Sequence, residues 1–143
     1  MRYPLTFITN LLAVDGAAGC ARGPFILIRP EYESDFGLYE HELMHVKQWA
    51  VVTLISTIVL VVLFSLMVDA PAFPLMVVAA SGVYRALYGI SPKFKLWAEV
   101  MAYKKQLSYY TDDRSELFAG FITNNKIYKL KVDYNMVLSR LRK

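Results

Sequence analysis

The spacing of apolar and polar positions divides the chain into four stretches. In residues 1–33, two short runs, 5–9 and 25–29, are rich in β-branched and aromatic residues and predict strands. They are separated by Asp15-Gly16 and a Gly/Ala-rich stretch through Gly23-Pro24, which reads as turn and loop. A turn over 30–35 follows, with Ser34 or Asp35 placed to cap the next helix. That helix occupies 34–68 and loses its polar face midway: residues 49–68 read WAVVTLISTIVLVVLFSLMV, twenty positions without a charge. At about 1.5 Å per residue this stretch is long enough to cross a hydrocarbon core of roughly 30 Å.

The pattern then breaks at Asp69, Pro71 and Pro74, where two prolines and an acid predict a sharp turn. A second apolar run over 74–90 is shorter and spans a bilayer only if Arg85 reaches toward its surface. Ala79, Ala80, Ser81, Gly82 and Ala86 are small enough for two helices to approach closely, with Thr53, Ser56 and Thr57 facing them. The expected unit is a two-helix hydrophobic hairpin. In the last stretch, 91–143, Ser91-Pro92 opens a helix and Thr111-Asp112-Asp113 opens another over 114–122, which Asn124-Asn125 ends. Residues 127–132 suit a short strand or an extended link, and Asp133 caps a final basic helix. The whole predicts one domain over 1–143, mainly α with a small N-terminal β element (α+β).

Composition sharpens this in three ways. With 143 residues the chain is too short for two comfortable domains, and its 56% apolar content exceeds the usual soluble range, which raises the question of a membrane. The lone cysteine, Cys20, cannot form an internal disulfide. The segment Ala17-Ala18-Gly19-Cys20 has the look of a lipoprotein cleavage box, but Pro4, Asn10 and Asp15 interrupt the apolar run before it, so Cys20 reads as a small loop or core residue. A net charge of +4 on scattered lysines and arginines, without a basic stripe interleaved with aromatics, argues against nucleic-acid binding.

Candidate chemistry is concentrated in His41-Glu42-Leu43-Met44-His45, which contains both histidines of the chain. Spacing of i, i+4 puts the two imidazoles one turn apart on a helix face, where they can share a metal ion. Glu42 beside them is placed as general base for water activation. Catalytic zinc takes three protein ligands, so a carboxylate or Cys20 must complete the set. A hairpin that leaves after His45 and returns before Ser91 delivers Glu99 to the same end, which makes it the strongest candidate. The alternative role for Glu99 is a solvated helix carboxylate paired with Lys95, one turn earlier. Tyr103, one turn beyond Glu99, is suited either to contacting a substrate oxygen or to an interfacial position. Gln48 is placed either to line the site or to mark the junction with the membrane. Tyr84, Tyr88, Phe94 and Trp97 fit a membrane-interface belt.

His-Glu-Leu-Met-His at 41–45, followed by a downstream helix reading Glu99-Val100-Met101-Ala102-Tyr103, resembles the gluzincin class of zinc metallopeptidases, including membrane-embedded forms whose motif helix runs into a transmembrane segment. The resemblance covers residues 41–106. It implies a minimal zincin-like core, one zinc ion on His41, His45 and Glu99, Glu42 as catalytic base and a peptide or protein substrate. The extra spans and substrate-binding subdomains of larger families are missing. A second expectation of another class is therefore a non-catalytic structural or interaction protein, its apolar segments packed on protein partners or a second copy instead of lipid. Lysines and arginines gather on the metal-site side of the hairpin, so two spans would place the site and both termini on the cytoplasmic face.

Overall fold

The computed structural model describes residues 5–10, 17–65, 73–124 and 127–143. The expected turns at Asp15-Gly16 and over 69–72, and the helix stop at Asn125, lie outside them. The described residues form a three-stranded sheet, β1 (Thr6–Ile8), β2 (Gly19–Arg22) and β3 (Phe25–Ile28), and five α-helices: α1 (Phe36–Ser65), α2 (Phe73–Ile90), α3 (Pro92–Leu107), α4 (Ser115–Thr123) and α5 (Tyr134–Leu141). β3 lies in the centre of the sheet, parallel to β1 and antiparallel to β2.

The expected mainly helical α+β class is observed, with one correction in the sheet. The Gly/Ala-rich segment read as loop forms β2, and Cys20 lies within it, half-buried and opposite Leu27. Small residues have little strand propensity of their own; pairing with β3 supplies it. A tight turn closes the β2–β3 hairpin, with Gly23 in the left-handed region at φ +59°, where an added Cβ would stand 3.6 Å from the Trp49 indole. Ile26 and Ile28 alternate inward and pack on Leu38 and Leu43 of α1, fixing the sheet against the first three turns of that helix.

Asp35 caps α1, its Oδ1 accepting from the Leu38 N–H at 2.9 Å. The Tyr110 hydroxyl donates to the same carboxylate at 2.8 and 2.9 Å, tying the start of α1 to the segment that follows α3. Asp35→Ala removes both and is expected to lower stability by about 1–3 kcal/mol. Asp35→Asn should recover most of the cap, and denaturant midpoints of the three proteins check this.

Over its thirty residues α1 extends about 45 Å without a break. It packs most extensively on α2, which runs antiparallel to it; the Trp49 Nε1–H donates to the Ser81 carbonyl at 3.0 Å. Thr53, Ser56 and Thr57 share the Trp49 face and are half-buried, whereas Val51, Leu54, Ile55, Ile58, Val59, Val62 and Leu63 point outward and are at least 50% exposed. Polar residues face protein and apolar residues face out, the reverse of a water-soluble helix. Facing water, each exposed side chain forgoes on the order of 1 kcal/mol of burial.

Among the described residues α1 alone is long and apolar enough to cross a membrane, and its most apolar stretch is only 6% buried. The shorter apolar helix 74–90 falls below that length, and its last two turns, carrying Tyr84 and Tyr88, point into the cluster described below. Of the small residues expected at the helix–helix contact, Ala80 is fully buried and Ser81 half-buried, while Ala79, Gly82 and Ala86 are exposed on the opposite side.

Ser91 caps α3, accepting from the Phe94 N–H at 3.3 Å, with Pro92 at the first helical position. Asp113 Oδ1 accepts from the Ser115 N–H at the start of α4, and Asp133 caps α5 through the Met136 N–H, each at 2.8 Å. Residues 127–132 form a turn and an extended link, not a strand; Leu130 anchors them in a core with Leu96, Val100, Phe118, Ile122 and Val137. This core holds α3 from behind and turns Glu99, Tyr103 and Gln106 toward α1.

Candidate metal centre

His41 and His45 lie on the buried face of α1, and Glu99 meets them from α3 with 1% of its surface exposed. The two Nε2 atoms are 3.2 Å apart. Glu99 Oε2 is 3.7 Å from His41 Nε2, and Oε1 is 3.5 Å from His45 Nε2. A tetrahedral ion with bonds of about 2.0–2.1 Å requires donor separations of roughly 3.3 Å, so this spacing fits a single shared ion. Two further features agree. Glu99 Oε2 has no hydrogen-bond partner among the described residues, and two neutral imidazoles that direct Nε2 at each other need a cation or a proton between them.

The tautomer of His45 follows from its neighbours. The Gln48 amide donates to the Ala98 carbonyl at 3.2 Å, which orients its Oε1 toward His45. That oxygen also accepts from the Tyr84 hydroxyl at 2.9 Å and lies 3.0 Å from His45 Nδ1. Because Oε1 can only accept, Nδ1 carries the hydrogen and the Nε2 lone pair is directed at the site. Gln48→Leu therefore removes an orienting partner without removing a ligand. Metal affinity is expected to fall about 10- to 100-fold with stoichiometry unchanged, as read by competition against a chromogenic chelator.

Desolvation pushes the His41 imidazolium well below the usual histidine range, and the neighbouring His45 adds to this; the nearby Gln106 side chain works against it. His41 is thus held neutral, the form that ligates metal. Burial, and next the Glu99 carboxylate, push Glu42 up to about 8, against a backbone hydrogen bond from Ala21 of β2. Gly19 keeps space beside Glu42, since a Cβ there would lie 3.2 Å from its Cγ and Oε1.

The structure thus brings together His41, Glu42, His45 and Glu99, with Tyr103 at their edge. Glu99 does not pair with Lys95, whose ammonium donates instead to the Tyr128 carbonyl at 2.7 Å. Tyr103 is buried and not interfacial: its ring meets that of His41 edge-on at 4.3 Å, and its hydroxyl is 2.8 Å from that of Tyr128. Burial raises the pKa of both phenols, which keeps them protonated. Cys20 is not part of the ligand group among the described residues.

The sequence placed Tyr84 and Tyr88 wrongly in an interface belt. The Tyr88 hydroxyl donates to Glu99 Oε1, and Tyr84 reaches Gln48. Their i, i+4 spacing was the available signal; it marks a shared helix face without saying what that face meets. Trp97 is partly exposed, as an interfacial residue would be. A cavity of about 350 Å³ opens on the other side of the ligand group, with His41, Glu42 and Tyr103 in its wall.

Fold and site define a mainly helical α+β chain with a buried His–His–Glu group able to hold one metal ion. No known family, curated protein or solved structure matches it.

Proposed function

We propose that this chain is a small zinc-dependent metallopeptidase of gluzincin type, anchored to a bilayer by the apolar part of α1 with α2 packed beside it. The observation that carries the reading is the position of Glu42, buried next to two ligating histidines and lining the same cavity as His41. His41, His45 and Glu99 would hold the ion, and a His₂Glu donor set suits zinc. Zinc held there would polarise the scissile carbonyl and lower the pKa of water toward neutrality.

Glu42 takes a proton from the attacking water as its oxygen bonds to the carbonyl carbon, then passes that proton to the amine as the C–N bond breaks. Tyr103, edge-on to His41, and Tyr128 share one hydrogen bond between their hydroxyls, which leaves one phenol O–H of the pair at the cavity as a donor for a substrate oxygen. The reversed polarity of α1 supports a lipid environment, and the basic residues near the site favour a cytoplasmic orientation.

The test is hydrolysis of quenched fluorescent peptides by detergent-extracted protein loaded with one equivalent of zinc. Turnover that a chelator abolishes and zinc restores is expected. Stoichiometric zinc without turnover of any peptide would leave a metal-bearing structural protein, and a monomer in plain buffer would remove the bilayer anchor.

A further inference from the structure

The ligand group has two unlike sides. Toward the hairpin it is closed by Gln48, Tyr84 and Tyr88, all committed to hydrogen bonds. On the other side lies the cavity of about 350 Å³, and no described residue of α2, nor any of α1 beyond Glu42, lines it. Its walls come from the first turns of α1, the start of β2, α3 and α4. A substrate reaching Glu42 through this opening arrives from the end remote from the apolar half of α1.

The far wall is apolar where folding does not require it. Leu117 and Phe121, one turn apart on α4, are 51% and 38% exposed, and both line the cavity with the buried Leu38 and Phe118. Outward-facing apolar residues at i, i+4 beside a site are explained if a ligand covers them. The charges at the mouth offset one another: Asp35 accepts from Tyr110, and the Arg114 guanidinium, which pairs with Asp112, stacks over the Tyr110 ring at 4.1 Å. Among the described residues nothing there selects a net charge.

From this we infer that the site takes extended, water-exposed polypeptide segments with a bulky apolar side chain next to the scissile bond, not segments embedded in the bilayer. The inference rests on the peptidase reading and adds the substrate class. Peptides carrying Phe or Leu beside the cleaved bond should have kcat/KM at least about tenfold above those carrying Gly or Asp. Leu117→Ser and Phe121→Ser alter half-exposed positions and should retain zinc, with that ratio falling toward one.

Binding gives a second readout. Zinc-loaded Glu42→Gln protein should bind a fluorescein-labelled Phe peptide, and Phe121→Ser in that background should weaken it about tenfold. Turnover without side-chain preference would overturn the substrate class and leave the peptidase intact. So would cleavage inside the span of a substrate held in nanodiscs. Neither turnover nor peptide binding by the zinc-loaded protein would overturn both.

Discussion

Replacing Glu42 by Gln is expected to leave one zinc per chain and to slow peptide hydrolysis about 10²- to 10⁴-fold, the usual contribution of a positioned general base. The amide keeps the volume of the carboxylate and can still accept the Ala21 backbone hydrogen bond, so the fold around β2 and α1 should persist. What it loses is the ability to take a proton from water. Glu42 does not belong to the group of ligand atoms that face one another, which separates its loss from loss of metal. Zinc analysis together with kcat for one peptide checks both halves. A variant as fast as the parent would show that the hydrolytic step does not pass through Glu42.

Replacing Glu99 by Ala is expected to have the larger effect on metal. It removes the only carboxylate of the ligand group and leaves His41 and His45 alone on one helix face. Loss of an orienting partner such as Gln48 costs about 10- to 100-fold in affinity, and loss of a ligand should exceed that. The expected result is little retained zinc after gel filtration at micromolar protein, with hydrolysis lost in parallel. The side chain is buried, so part of the cost could arise from packing; Glu99→Gln fills the same space and should still bind poorly. Equal stoichiometric zinc in wild type and Glu99→Ala would remove the third ligand and most of the likeness to gluzincins.

How much of this was legible in the sequence depends on the range of the interaction involved. The caps at Ser91 and Asp133 and the α-helical motif are local: a side chain meets a backbone group two or three residues away, and the spacing shows it. The two histidines are of this kind, since i, i+4 on a helix is fixed geometry. Glu99 was reached by a topological argument, that a chain leaving after His45 must return near where it left. β2 was not legible because Gly19, Cys20 and Ala21 have no marked preference and take their conformation from β3.

By itself, then, the sequence determined the helical class, the motif on its helix and a long uncharged segment, because periodicity and composition act within a few turns of chain. Only the tertiary structure decided the rest. It made Tyr84 and Tyr88 neighbours of the ligand group and not an interfacial belt, buried Tyr103 against the His41 ring, and opened the cavity on the side away from the hairpin. The physical reason is common to all three. A helix face is defined by sequence, but what it meets depends on which other element packs against it, and here the side-chain hydrogen bonds that join α1 to α2 and α3 span 32 to 50 residues of chain.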